Sequence, residues 1–265
     1  MEGQTLALVT GATSGIGMAI AQRWAARGGA LALTGRNAAA LKECARRWRE
    51  IYGVPVWTCA ADLTQPEAIE HLWSGTLAFA DTNRLHFNVV VNNAGFGAFG
   101  EDARIDEATL TGMLQLNVFA LTLLTHRAAL SFGRKEGGQI LNVASTAAFQ
   151  ACPYLAAYAA TKSYVLSYSR ALDEELRGSG VRVKCLCPGP TRTHFARAAG
   201  LGETSRFDKF AANVDKVADT ALALLDGTRS ESVHGWSNRL GVFLTRCVSA
   251  RLASRIAGRV MRSMD

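Results

Sequence analysis

Thr5-Leu6-Ala7-Leu8-Val9-Thr10-Gly11-Ala12-Thr13-Ser14-Gly15-Ile16-Gly17 lies almost at the start of the chain. Its first five residues are an apolar run, the next eight a glycine-rich turn, and Met18 to Arg27 beyond them is alanine-rich and favours helix. Strand, glycine turn and helix in that order aim backbone N–H groups and the positive end of a helix at a phosphate. The glycines permit close backbone approach and unusual dihedrals. The spacing G-x-x-x-G-x-G is not the widespread G-x-G-x-x-G, so the turn decides little until its surroundings are read.

Working outward, the same alternation repeats. Ala30 to Thr34 reads as a strand, Asn37 to Tyr52 as a helix and Val54 to Ala60 as a strand. Asp62-Leu63 then precedes a helix from about Gln65 to Ala80, and Phe87 to Val91 is a buried-strand pattern ending in Asn92-Asn93-Ala94-Gly95. One long helix is expected from Asp106 to about Phe132. Gln139 to Val143 is a fifth strand ending in Ala144-Ser145, Tyr154 to Arg177 a helix, and Val181 to Leu186 a sixth strand before Pro188-Gly189-Pro190-Thr191-Arg192-Thr193. Such alternation predicts an α/β fold: a doubly wound parallel sheet with right-handed crossovers and helices on both faces. A single domain over residues 1–235 is expected, with 236–265 as a basic, amphipathic helical extension. A seventh strand near Ser232 is expected to be very short or absent.

Chemistry collects in a few places. Tyr158 and Lys162 stand four apart on a predicted helix, so they share a side, and the ammonium can bias the phenol toward ionisation. Ser145, thirteen residues earlier, ends a strand that could deliver it to the same point. Y-x-x-x-K also occurs on many helix surfaces as a solvated pair, and both readings stay open on this stretch alone. Asn117 interrupts the apolar stretch Met113 to Phe119 and needs hydrogen-bond partners; it either ties its helix to a neighbour or holds a water. Thr34-Gly35-Arg36 ends the second strand where NAD-selective folds often carry an acid. Arg36 can bind a 2′-phosphate there, or simply be a surface arginine opening a helix capped by Asn37. All these candidates follow the carboxyl ends of strands, the edge along which doubly wound sheets bind ligands.

Composition narrows the classes. The chain has 265 residues, 49% hydrophobic, enough for a full core. No secretory signal pattern and no run of 18 uninterrupted apolar residues is present, so a cytoplasmic protein is expected. Six cysteines show no C-x-x-C pair and no metal-ligand spacing, and are read as reduced, mostly buried thiols, with Cys185 and Cys187 expected on opposite faces of a strand. The net charge of +7 sits mostly at the end: residues 228–265 hold seven arginines against Glu231 and Asp265. The rest is nearly neutral, which argues against a nucleic-acid binder.

Together these motifs resemble the short-chain dehydrogenase/reductase family over roughly residues 5 to 195. The resemblance implies a Rossmann-like fold and a carbonyl–alcohol oxidoreductase using NADP(H). It implies a cofactor turn formed by Thr10, Gly11, Thr13, Ser14, Gly15, Ile16 and Gly17, with Arg36 at the 2′-phosphate and Asp62-Leu63 at the adenine. Asn92, Asn93, Ala94 and Gly95 match the Asn-Asn-Ala-Gly motif, and Pro188, Gly189, Thr191 and Thr193 fall where the family borders the nicotinamide. Asn117, Ser145, Tyr158 and Lys162 match its catalytic tetrad. In that scheme Tyr158 is the general acid/base, Ser145 binds the substrate oxygen, Lys162 lowers the tyrosine's pKa and holds a ribose, and Asn117 steadies a relay water. No metal is implied. A homodimer or homotetramer is expected from the long helices at 106–132 and 154–177.

The tail departs from the family's commoner form. From Arg239 to Arg262 one helix is expected, with Leu244, Val248, Leu252, Ile256 and Val260 as a ridge and Arg251, Arg255 and Arg259 beside it. That face either packs on the domain or a partner subunit, or lies at an anionic membrane surface. Phe96 to Arg104, Arg192 to about Phe210, Phe149, Tyr154 and Trp236 are expected to wall an apolar small-molecule carbonyl site. The rival to an enzyme is a nucleotide-binding regulatory or membrane-peripheral protein with little turnover.

Overall fold

A computed structural model describes residues 3–133, 137–193, 195, 199–200 and 211–262. The apolar runs form seven parallel strands: β1 (Thr5–Thr10), β2 (Ala30–Gly35), β3 (Val56–Ala60), β4 (His86–Asn92), β5 (Gly138–Val143), β6 (Val181–Cys187) and β7 (Glu231–Val233). Their order is β3-β2-β1-β4-β5-β6-β7, all parallel. The crossovers are α1 (Gly15–Ala26), α2 (Ala38–Tyr52), α3 (Pro66–Thr82), α4 (Glu107–Leu114) running into α5 (Leu121–Gly133), α6 (Ala156–Glu175) and α7 (Val214–Asp226). After β7, only three residues long, come α8 (Trp236–Arg246) and α9 (Ala250–Arg262).

Period-two alternation on the central strand builds a core on each face. Ala7 and Val9 of β1 pack with α1, α2 and α7, whereas Leu6 and Leu8 pack with α3 and α5. A strand buried on both faces reads as a continuous apolar run, which is why β1 was visible in the sequence. The strand order reverses between β1 and β4, opening a crevice at their carboxyl ends, where such folds bind ligands.

Three expectations are corrected, and one buried cation comes to light. The helix expected over 106–132 is interrupted by a π-helical segment, Gln115–Ala120, between α4 and α5. The tail is two helices, broken at 247–249, where the Ser249 hydroxyl and carbonyl both accept from the Leu252 N–H and start α9. Cys185 and Cys187 share a face of β6, as residues two apart on a strand do, with their sulfurs 3.9 Å apart. The apolar run of β6 also conceals a cation: buried Lys184 donates to the carbonyls of Leu224, Leu225 and Gly227, each at 2.7 Å, closing the C-terminal end of α7.

The stretch Glu107–Gly133 has a mean hydropathy of 1.4 and passes for a membrane span by length and composition alone. One of its faces, including Leu124, Ala128 and Phe132, lies instead in the core against β4 and β5. Its outer face leaves Leu114, Phe119 and Leu130 exposed.

Candidate active site

The glycine turn between β1 and α1 is stapled to the turn after β4. The Thr10 hydroxyl accepts from the N–H groups of Asn93 (3.0 Å) and Ala94 (2.9 Å), and Asn93 Nδ2 donates to the carbonyls of Thr10 (3.0 Å) and Gly11 (3.3 Å). The two backbones therefore meet with no room for side chains. A Cβ at Gly17 would lie 2.3 Å from Asn93 Nδ2 and 2.4 Å from the Gly11 carbonyl oxygen. Gly11, at φ +66°, adds the left-handed conformation that turns the chain.

The N-terminus of α1 is open to an anion. Ser14 takes the capping position but its side chain makes no capping bond, and no acid occupies the first turn. The first amides thus keep free donors and an uncompensated positive end. Thr13 packs beside Gly35 at the end of β2, followed by exposed Arg36, which has no ion pair among the described residues. Asp62, exposed after β3, accepts through Oδ1 from the Thr64 N–H (3.1 Å) and hydroxyl (2.9 Å), while Leu63 turns inward and is buried. Ile16 packs against the core from the first turn of α1. Thr193 touches Gly15 from the far side of the crevice, and the Thr191 hydroxyl donates to the Gly189 carbonyl at 2.9 Å. Backbone packed too closely for side chains, an uncapped helix and a free guanidinium after β2 fit a phosphate-rich dinucleotide.

Asn92, the first residue of its motif, faces away from this crevice. It donates to Thr125 (3.0 Å) and to Asn142 (2.9 Å), whose own amide donates to Ser169 (3.0 Å), so β4, β5, α5 and α6 share a buried polar network. Its neighbours Asn93, Ala94 and Gly95 face the crevice side. A Cβ at Gly95 would meet Asn117 Oδ1 at 2.8 Å and Lys162 Nζ at 3.4 Å.

Asn117 sits in the π-helical segment and is fully buried. Its Nδ2 donates to the Phe96 carbonyl (2.8 Å) and the Thr161 hydroxyl (3.1 Å), and its Oδ1 accepts from the Phe96 N–H (3.1 Å). The tie between helices is realised, and one Oδ1 lone pair remains. The sequence carried no sign of the π turn that aims it.

Tyr158 and Lys162 lie on the inner face of α6, both buried, with Nζ 5.8 Å from the phenol ring centre. The solvated-pair reading is therefore excluded. Lys162 donates to the Val143 carbonyl at 2.9 Å, and burial pulls its ammonium down to about 8. Burial pushes the Tyr158 phenol up to about 12, against a smaller downward pull from the Ser145 hydroxyl. Ser145 accepts from the Ala147 N–H at 3.1 Å, which leaves its proton free to point into the site. The phenol and the Ser145 hydroxyl are thus hydrogen-bonded neighbours, with the ammonium held beside the phenol ring.

Around them is an apolar wall. Met113, Cys152, Leu155, Tyr158 and Ala159 pack with Phe96, Phe99, Leu110, Phe195 and Met261. The Phe195 ring lies 5.2 Å from that of Tyr158, and Tyr154 packs on Phe99. Two expected walls are misplaced: Trp236 is 78% exposed, and Phe149 packs under Arg170 in a separate cluster. Met261, from the tail, was not foreseen. Residues 194, 196–198 and 201–210 of the expected substrate segment lie outside the described residues.

A phosphate-ready turn beside a buried phenol, hydroxyl and ammonium places the molecule among dinucleotide-dependent oxidoreductases. Within that class, the chain belongs to the short chain dehydrogenase family, whose profile matches residues 5–203. It is 32% identical over 215 residues to granaticin polyketide synthase putative ketoacyl reductase 1 of Streptomyces violaceoruber, covering 77% of each chain. A short-chain dehydrogenase from Sphingobium yanoikuyae in complex with NADPH is 30% identical, with a TM-score of 0.80 over 92% of this chain and 94% of that one. A 3-ketoacyl-(acyl-carrier-protein) reductase from Brucella melitensis complexed with NADH is 26% identical, with a TM-score of 0.77 over 89% and 99%. Both solved relatives hold a nicotinamide dinucleotide.

Proposed function

We propose that the protein is an NADP(H)-dependent oxidoreductase that interconverts an apolar ketone and its secondary alcohol. The observation that carries this reading is the buried Tyr158 phenol set between Ser145 and Lys162 at the carboxyl edge of the sheet. NADPH, when bound along the glycine turn and the 93–95 turn, would supply the hydride for the carbonyl carbon. Tyr158, protonated throughout the physiological range, gives its proton to the carbonyl oxygen, and hydride plus proton complete the alcohol. Ser145 donates a hydrogen bond to that oxygen as negative charge builds on it. Lys162, anchored on Val143, stabilises the transient phenolate and would hold the nicotinamide ribose of a bound cofactor. Asn117 holds the loop after β4 against α6 and offers its remaining lone pair to a relay water. Oxidation of an alcohol runs through the same groups in reverse.

The choice of NADP(H) rests on Arg36, a free guanidinium where an acid would repel a 2′-phosphate. The glycine turn, Asp62-Leu63, the 93–95 turn, and Pro188, Gly189, Thr191 and Thr193 hold the rest of the cofactor. Phe96, Phe99, Leu110, Met113, Phe195 and Met261 favour a bulky apolar substrate, such as a ketoacyl or steroid-like ketone. A homodimer or homotetramer forms through Leu114, Phe119 and Leu130 of the helix at 107–133 with Tyr164 of α6, which hydrogen-bonds Thr122 at 2.9 Å.

The test is calorimetric titration with NADPH and NADH, followed by NADPH oxidation against acyl, steroid-like and aromatic ketones. Absence of NADPH binding would sink the proposal, and equal affinity for the two cofactors would remove the role of Arg36.

A further inference from the structure

The tail buries its small residues and exposes its large ones. Ala253, Ala257 and Gly258 of α9 are the buried positions, with Gly258 packed on Pro153. Trp236 (78% exposed), Leu240, Phe243 (61% exposed) and Leu244 share one face of α8, and Leu252 and Ile256 share one face of α9. Two packed helices normally turn such side chains inward. Here they form the largest collection of exposed large apolar residues in the described part of the molecule.

Charge identifies what covers this face. Arg239, Arg246, Arg251, Arg255, Arg259 and Arg262 are all exposed, and residues 236–262 contain no acid. No ion pair among the described residues uses any of these six, whereas arginines elsewhere, such as Arg23, Arg46 and Arg182, pair with carboxylates. Three of them, Arg255, Arg259 and Arg262, line a cleft of about 380 Å³ with Pro153, Tyr154, Ser254 and Gly258. A second copy docked by two-fold symmetry would set arginine against arginine, which disfavours self-association here. Nucleic acid would leave the tryptophan, phenylalanine and leucines in water. An apolar face rimmed by unpaired arginines suits a surface with an anionic headgroup layer over hydrocarbon.

We propose that α8 and α9 dock the protein on an anionic lipid bilayer, with Trp236, Phe243, Leu252 and Ile256 entering the interface and the arginines meeting lipid phosphates. The docked helix also borders the active site: Arg262 stacks over Tyr154, 5.9 Å from the ring centre, and Met261 joins the apolar wall around Tyr158. The bilayer would thus lie beside the substrate entrance.

Co-sedimentation of the full chain with phosphatidylcholine vesicles, with and without 30 mol% phosphatidylglycerol, tests this. Binding to the anionic vesicles is expected, with a blue shift in emission that Trp236→Phe removes. The triple variant Arg251→Glu/Arg255→Glu/Arg259→Glu should weaken binding at least about tenfold, as should Phe243→Glu/Leu252→Glu, both with an unchanged melting temperature. Failure of the wild type to sediment with anionic vesicles would overturn the proposal. So would equal binding to neutral vesicles, or light scattering showing that Phe243→Glu/Leu252→Glu lowers the oligomeric mass while vesicle binding persists.

Discussion

Lys162 Nζ donates to the carbonyl of Val143 at 2.9 Å, so the helix bearing the tyrosine is fastened to the last residue of β5, two residues before Ser145. The contact fixes two elements relative to each other and holds a cation in a buried place. Each of these consequences is open to measurement.

The buried ammonium ties stability to pH. Its folded pKa of about 8 lies below the unfolded value near 10.4, so the cost of charging it in place is fully present below about 8 and disappears as pH rises toward 10. Without cofactor, the wild type should gain about 2 kcal/mol relative to Lys162→Met between pH 8 and 10. Tyr158, raised to about 12, contributes stability that is lost only as pH climbs through about 10 to 12, outside this window. Parallel melting curves for the two proteins across pH 8 to 10 would refute the assignment.

Removing only the phenol oxygen separates chemistry from binding. Tyr158→Phe keeps the ring that packs on Phe195 and Gly97, so melting temperature and NADPH affinity should hold. Turnover of an apolar ketone should fall about 100- to 10,000-fold, the range for loss of a positioned acid. A variant retaining more than a tenth of the wild-type kcat would leave the phenol without its proposed role.

Arg36 is tested by the difference between two cofactors. A charged hydrogen bond lost from the 2′-phosphate is worth about 1.5 to 3 kcal/mol, so Arg36→Ala should weaken NADPH binding roughly 10- to 150-fold. NADH has no phosphate there, and its affinity should stay within a factor of about two. Calorimetry on both would decide, and equal losses would contradict the reading.

Two glycines make a matched pair. At Gly17 a methyl group would meet Asn93 and the Gly11 carbonyl at 2.3 and 2.4 Å, so Gly17→Ala should cost at least about 2 kcal/mol and abolish cofactor binding. At Gly241, on the outside of α8, nothing lies within 4 Å, and Gly241→Ala should stabilise by about 0.5 to 1 kcal/mol. Chemical denaturation of both variants checks the contrast.

The parallel sheet was legible because strands buried on both faces must be apolar end to end, and because each site residue follows a strand. Tyr158 and Lys162 were legible as a pair because their spacing matches one helical turn. Where several chain segments jointly decide a conformation, local pattern was silent. Asn117 stood out as polar within an apolar stretch, but nothing in its neighbours announced a π turn. Lys184 hid in a strand because its partners, the carbonyls at 224, 225 and 227, lie forty residues on. The four-residue ridge of the tail runs across the break at 247–249, so its spacing alone reads as one helix. The contact of Met261 with the site depends on how α9 folds back over Pro153 and Tyr154, which no spacing encodes.

The π-helical segment at Gln115–Ala120 makes the helix longer by a residue than its hydrogen-bond ladder needs. Deleting one residue there would let the ladder run unbroken from 107 to 133, and would turn everything on one side of the cut by about 100° against the other. Either Asn117 would swing away from Phe96 and Thr161, or Leu124, Ala128 and Phe132 would leave the core. A more regular helix in this place would be a worse one, since the surplus residue is what lets a single rod serve two alignments.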